Sequence, residues 1–192
     1  MTSLTPELLL AAYSKGYFPM AKKRTSKTIH WYYPEERGVL PLDEFHIPKS
    51  LAKAAKKKPY RLSIDEDFKG VITACADTQR GYEKGTWIND EIIDAYCQLH
   101  ELGHAHSVEA WHEDALVGGL YGVSIGRAFF GESMFSIATD ASKLALTHLV
   151  EHLKANGYAL LDTQYVNDHL LQFGVKAIPR EEYLKLLEKA LS

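Results

Sequence analysis

The sequence predicts an α+β fold in which helices flank a mixed sheet, with a small basic subdomain at the N-terminal end. Three observations predict it. Residues 106–135 read as three successive strands joined by tight turns, runs with helical spacing lie before and after them, and one more strand, Ala159 to Tyr165, follows a long helix. The expected division is a basic subdomain over 1–58 and a larger domain over 59–192.

In chain order, Thr5 and Pro6 are an N-cap and a first-turn proline, and Leu8, Leu9, Ala12 and Tyr13 continue a helical stripe to Gly16. An aromatic turn, Tyr17-Phe18-Pro19-Met20, leads into Lys22, Lys23, Arg24 and Lys27, the combination that stacks on nucleotides. Ile29 to Tyr33 and Val39 to Pro41 read as two short strands of one hairpin around Pro34 to Gly38. A helix over 48–58 sets Lys49, Lys53, Lys56, Lys57 and Lys58 against Leu51, Ala54 and Ala55. A strand at Tyr60 to Ile64 and a helix at Asp67 to Ala76 come next, then a charged, Gly-containing loop over Asp77 to Ile88. Trp87 stands before the N-cap Asn89, as a staple for the helix Asp90 to Leu102 or as a stacking platform. After the meander, Asp140 caps a helix to Lys154. The strand Ala159 to Tyr165, a short helix over Asn167 to Phe173 and a final amphipathic helix over Arg180 to Leu191 complete the order.

The chain has 192 residues and is 46% hydrophobic, enough for a substantial core. No apolar run approaches a membrane span and the N-terminus lacks a signal-peptide pattern, so a cytoplasmic protein with no membrane partner is expected. Cys75 and Cys97 have no paired spacing and read as core residues. His100, His104 and His106 straddle a helix end and a strand start without ligand spacing, so neither a metal nor another cofactor is expected. The net charge of −3 conceals an asymmetry, +7 over residues 1–61 and −10 over the remainder. That split fits a polyanion for the first part and a cationic group for the second, although surface helices alone also produce such runs.

Two stretches stand out chemically. Gly118 to Ser136 places Gly118, Gly119, Gly122 and Gly131 in two otherwise apolar strands, where glycine marks a bulge or a close approach. Strict alternation there sets Phe130, Glu132, Met134 and Ser136 on one face, with the carboxylate between apolar neighbours. The strand at 159–165 sets Asp162 and Gln164 on one face, either as a satisfied buried pair or as an Asp that orients a Gln.

The succession of helix, three antiparallel strands, helix, strand and helix resembles an acetyltransferase-like (GNAT-type) acyltransferase fold. A more specific resemblance runs from about Leu8 to the last helix. Its strings are Ala12-Tyr13 with Gly16 and Phe18-Pro19; Gly85-Thr86-Trp87-Ile88; Leu99-His100 with Gly103-His104-Ala105-His106-Ser107-Val108-Glu109; Leu116-Val117-Gly118-Gly119-Leu120-Tyr121-Gly122; Gly131-Glu132-Ser133-Met134-Phe135-Ser136; and Ala141-Ser142-Lys143. By these the chain resembles leucyl/phenylalanyl-tRNA–protein transferases.

The resemblance implies transfer of Leu or Phe, with Met a further candidate, from aminoacyl-tRNA to the α-amino group of proteins that begin with Arg or Lys, marking them for degradation. It implies a monomer without cofactor. It assigns Met20 and Trp87 to the 3′-terminal adenosine, Leu120 and Met134 with Glu132 to the aminoacyl group, Asp162 and Gln164 to catalysis with Asn167 nearby, and Lys49, Lys53, Lys56 and Lys57 to the tRNA backbone. The chain departs from the family in three ways. Met20 stands where Trp is common, Thr163 stands where Cys is common, and neither the Gly-Gly-Asp-containing N-terminal extension nor a basic C-terminal tail is present, so fewer tRNA contacts outside the acceptor end are expected.

The ester of an aminoacyl-tRNA is already activated, so proximity supplies much of the rate. On this reading Asp162 fixes Gln164, the Gln carbonyl orients the amine, and the proton leaves through Asp162, water or a ribose hydroxyl. No acyl-enzyme is expected, because no Ser/Cys–His arrangement is evident. The alternatives are a CoA-dependent N-acetyltransferase, disfavoured because Ile137 to Ser142 lacks a Gly-rich pyrophosphate loop, and a non-catalytic tRNA-binding module.

Overall fold

A computed structural model describes residues 4–78 and 86–192. Among these, the helices are α1 (Pro6–Tyr13), α2 (Lys49–Lys56), α3 (Phe68–Asp77), α4 (Asp90–Glu101), α5 (Ala141–Ala155), α6 (Asp168–Leu171) and α7 (Arg180–Leu191). The strands are β1 (Phe18–Ala21), β2 (Ile29–Tyr32), β3 (Glu36–Val39), β4 (Arg61–Ile64), β5 (Ala105–His112), β6 (Ala115–Ile125), β7 (Ala128–Ser136), β8 (Leu160–Gln164) and β9 (Lys176–Pro179). Side-chain caps start several helices where the sequence placed them. Thr5 accepts from the Leu8 amide, Asp67 from Gly70, Asn89 from Ile92 and Asn167 from Leu170. Asp140 stands at the N-cap of α5 but makes no cap hydrogen bond, and its carboxylate binds Lys143 instead.

The large sheet has the order β4-β5-β6-β7-β8-β3-β9, with β7 and β8 parallel and the other pairs antiparallel. This is the expected α+β class, a mixed sheet flanked by helices. On one face Leu9, Tyr13, Val71, Ile72, Ile92, Tyr96 and Tyr183 pack against Tyr121, Val123 and Phe130. On the other, Leu51, Leu146, Leu149 and Leu153 cover Val108, Leu120, Phe129 and Leu161. No helix among the described residues is long and apolar enough to cross a membrane.

The N-terminal strands differ from the sequence reading. Ile29 to Tyr32 pairs with Phe18 to Ala21, so the aromatic segment read as a turn is β1, and the expected hairpin between 29–33 and 39–41 does not form. Instead β3 enters the large sheet between β8 and β9, carrying residues of the expected N-terminal subdomain into its interior. The unforeseen β9 is only four residues and mostly exposed, so it has no alternating apolar signal to read. Cys75 is buried as expected, whereas Cys97 is only half-buried. Within the loop read over 77–88, residues 79–85, including Gly85, lie outside the described residues.

Strict alternation also fails in β7, and for a physical reason. Tyr121 pairs with Ser133 and Gly122 with Gly131, which leaves Glu132 as one extra residue in the strand. Such a bulge reverses the phase of everything beyond it. Phe130 and Phe135 therefore reach one core, while Phe129 and Met134 reach the other, and Met134 does not share a face with Glu132. Gly122 makes the bulge possible, because a Cβ there would stand 2.4 Å from both a Phe129 ring carbon and the Phe130 carbonyl oxygen.

At Gly118 a Cβ would lie 2.5 Å from the Ala141 Cβ, so the start of α5 rests directly on the β6 backbone. Gly118→Val is expected to lower unfolding free energy by about 1–3 kcal/mol, read from the urea midpoint at constant slope.

Candidate active site

A buried ionic pair anchors the site. Arg37 of β3 is 1% exposed and Asp162 of β8 0%. The guanidinium donates from Nε to Asp162 Oδ1 at 2.9 Å and from Nη2 to Oδ2 at 2.7 Å, while Nη1 donates to the Gly16 carbonyl at 2.8 Å. Phe18 and Tyr183 flank it, each ring centroid 4.6 Å from Cζ. Tyr183 donates its hydroxyl to Asp162 Oδ2 and the Gln164 amide donates to Oδ1, both at 2.7 Å. Burial works against the Arg37 charge, but the Asp162 carboxylate outweighs it and holds the guanidinium more firmly protonated. Burial, followed by the Asp162 charge, holds the Tyr183 hydroxyl far above its usual range.

Asp162 and Gln164 are thus linked, but not side chain to side chain on one face. Gln164 has φ +63°, a left-handed conformation that ends the strand alternation. Asp162 holds the Gln164 backbone in that conformation. The side-chain amide points elsewhere, its Nε2 donating to Glu132 Oε1 at 2.7 Å.

Glu132 is the second centre. Tyr13 donates to its Oε1 at 2.6 Å, Tyr96 approaches Oε2 at 3.4 Å, and the two tyrosine hydroxyls share a short hydrogen bond. Burial pushes the Glu132 carboxyl up to about 8, against the pull of the Tyr13 hydrogen bond and with the Asp162 charge adding to the rise. Burial also holds the Tyr13 and Tyr96 hydroxyls well above their usual range, with the Glu132 charge next in importance. Tyr13, Tyr96, Arg37 and Tyr183 were missed as site residues in the sequence. The tyrosines fit apolar helical stripes, Arg37 sits in a charged stretch that reads as a turn, and only tertiary packing brings them together.

β7 and β8 pair only from Ala128–Leu160 to Phe130–Asp162. Beyond that point a cavity of about 430 Å³ is lined by Gly131, Glu132, Ser133 and Thr163 at this gap, and by Leu120, Met134, Leu146, Leu149, Leu161 and Leu170 along its apolar wall. Ser136, Ser142, Asn167 and His169 add polar groups. Thr163 Oγ1 and His169 Nε2 are buried with no hydrogen-bond partner among the described residues. Burial first, and then the Lys143 charge, keeps His169 below its usual pKa, hence neutral at neutral pH.

Of the residues singled out in the sequence, the cavity gathers Leu120, Glu132, Met134 and Asn167. Asp162 and Gln164 stand behind this lining as support. Met20 and Trp87 pack partly buried against the first core, their segments joined by the Ala21 amide donating to the Trp87 carbonyl at 3.1 Å. Neither lines the cavity. Lys49, Lys53, Lys56 and Lys57 are exposed on and just after α2 and do not line it. His106 binds Asp65 at 2.7 Å and His100 binds the Ala105 carbonyl at 2.8 Å; no cluster of three metal-ligating side chains occurs among the described residues.

An apolar cavity opening at a strand gap, with a buried carboxyl and polar groups in its lining, is the layout of a ligand-binding or active site. The chain belongs to the leucyl/phenylalanyl-tRNA protein transferase family, whose model matches residues 39–188 and whose N-terminal domain model matches residues 2–35. Among solved structures, L-PGS from Bacillus licheniformis is similar at 15% identity and TM-score 0.44, over 85% of this chain and 54% of that one. The C-terminal domain of a candidate lysylphosphatidylglycerol synthetase from Agrobacterium fabrum is similar at 11% identity and TM-score 0.44, over 97% of this chain and 57% of that one. The chain therefore spans little more than half the length of these two structures, and at such distances they carry no functional argument.

Removing one partner of a buried ion pair strands the other. Arg37→Met should cost about 3–5 kcal/mol of stability in urea unfolding, and Asp162→Asn with Arg37→Met should recover part of that loss in a double-mutant cycle.

Proposed function

We propose that this protein transfers leucine or phenylalanine, with methionine as a third donor, from aminoacyl-tRNA to the α-amino group of proteins beginning with Arg or Lys, and so marks them for degradation. The observation that carries this reading, beside the family match, is the cavity whose apolar wall runs along Leu120, Met134, Leu149 and Leu170 and whose mouth holds Glu132. An uncharged, medium-sized side chain suits that wall, and a charged one would be desolvated without a counter-ion. The ester carbonyl then stands near Glu132 and Gln164, where the amine must arrive.

Charge supports the choice of substrates. The exposed Lys49, Lys53, Lys56 and Lys57 form a positive surface suited to the tRNA backbone, and the acidic balance after residue 61 suits a cationic acceptor. Met20 and Trp87 are the proposed contacts for the terminal adenosine, with a thioether where a second indole is common. The reaction forms one amide N–C bond and breaks one ester C–O bond. Its main demands are positioning and removal of a proton from the amine.

The test is transfer of labelled leucine from leucyl-tRNA to a peptide beginning with Arg, to its N-acetylated form, and to a peptide beginning with an acidic residue. Transfer to the free Arg peptide alone is expected. Bound tRNA with no transfer to any peptide contradicts the reading and leaves a binding module. Gln164→Ala should lower the single-turnover rate by about 10²-fold, whereas a rate equal to that of the native protein removes Gln164 from the chemistry.

A further inference from the structure

Asp162 is poorly placed to accept a proton. Its Oδ1 accepts from Arg37 Nε and the Gln164 amide, its Oδ2 from Arg37 Nη2 and the Tyr183 hydroxyl, and the residue neither lines the cavity nor reaches solvent. Glu132 differs on each point. It lines the cavity, keeps 8% of its surface exposed, and sits on a bulge that frees it from the strand pairing around it.

The two Glu132 oxygens are also unequal. Oε1 is held by Tyr13 at 2.6 Å and Gln164 Nε2 at 2.7 Å, whereas Oε2 has, among the described residues, the Tyr96 hydroxyl at 3.4 Å. A contact that long leaves Oε2 with most of its accepting capacity. We propose that Glu132 Oε2 takes the proton from the incoming acceptor amine, while Tyr13, Tyr96 and Gln164 are positioning residues that fix the carboxyl. This rests on the aminoacyl-transfer reading above. In the step, the acceptor reacts as the neutral amine: its nitrogen lone pair forms the N–C bond at the ester carbonyl while the carboxylate takes one proton from that nitrogen. The C–O bond to the ribose breaks, the ribose oxygen takes that proton from Glu132, and the second amine proton remains on the amide.

Proton affinities agree with the geometry. The carboxyl sits at about 8, next to the reference range of roughly 7.7–8.0 for an α-amino group, so exchange between them is nearly balanced. The titratable and charged groups facing it are Tyr13 from α1, Tyr96 from α4, Arg37 from β3 and Asp162 from β8. Tyr13 and Tyr96 lower the Glu132 pKa by hydrogen bonding and Arg37 by its charge, and Asp162 raises it.

The test uses single-turnover transfer from leucyl-tRNA to the Arg peptide and to the same peptide bearing an N-terminal aminooxy group, which is too weakly basic to be protonated over about pH 6–9. With the aminooxy acceptor the titration of the amine disappears and that of the enzyme remains. The native protein should gain about tenfold in rate per pH unit and level off near 8. Glu132→Gln should lose that inflection and fall by about 10²–10⁴-fold on the plateau. Tyr13→Phe should move the inflection upward, since a hydrogen bond that lowers the Glu132 pKa is gone.

Folding is checked independently by linkage. A carboxyl raised to about 8 in the folded state makes the native protein lose stability as pH rises from the ordinary carboxylate range to that value, and Glu132→Gln should lack this loss. A flat native profile with the aminooxy acceptor, or a Glu132→Gln profile and rate matching the native one, overturns the proposal. Absence of transfer by the native protein to the Arg peptide overturns the aminoacyl-transfer reading itself.

Discussion

The interaction on which the rest of the structure depends is the buried ion pair between Arg37 and Asp162. It binds β3 to β8 near the β9 edge of the large sheet, and through Nη1 it also fixes the carbonyl of Gly16, just beyond α1. Two charges withdrawn from water at this depth are costly unless every donor and acceptor is met. The aromatic rings of Phe18 and Tyr183, the Tyr183 hydroxyl and the Gln164 amide meet that requirement. An element from the N-terminal part is thereby locked against the strand that carries the site, and α1 is positioned to present Tyr13 to Glu132.

A second constraint acts on the opposite side of the strand gap. The bulge at Glu132 and the left-handed turn at Gln164 are both departures from regular strand geometry, and they lie across the same opening between β7 and β8. Each is held by the other, because the Gln164 amide is bonded to the Glu132 carboxyl. Irregular backbone ends the pairing early and opens the apolar cavity. The same irregularity aims one carboxyl at the gap and leaves the other sealed behind it.

Much of this was legible in the sequence. The meander, the long helices and most of their caps follow from alternation, helical spacing and Ser/Thr/Asp/Asn placement. Of Gly118, Gly119, Gly122 and Gly131, read in the sequence as marking a cleft, the cavity lining includes Gly131, whereas a Cβ at Gly118 or Gly122 collides with Ala141 or Phe129, so those two serve packing. Leu120, Glu132, Met134 and Asn167, which the family strings singled out, line the cavity. The remainder was hidden by cooperativity between distant segments. Alternation could not anticipate the phase reversal at Glu132, since a bulge is a property of the pairing and not of one strand. Arg37 carried no sign of burial, because its partner Asp162 lies 125 residues away, and β3 pairs with β8 and β9, which come much later in the chain.

The proposed transfer requires the aminoacyl side chain in the cavity and the reacting ester beside Glu132, and a structure with a non-hydrolysable 3′-amide analogue of leucyl-adenosine tests this most directly. The leucyl group should lie against Leu120, Met134, Leu149 and Leu170, with the amide carbonyl at the gap by Glu132 and Gln164 and the Arg37–Asp162 pair unbroken. An analogue bound with its side chain outside that cavity, or with its carbonyl remote from Glu132, would contradict the proposed function.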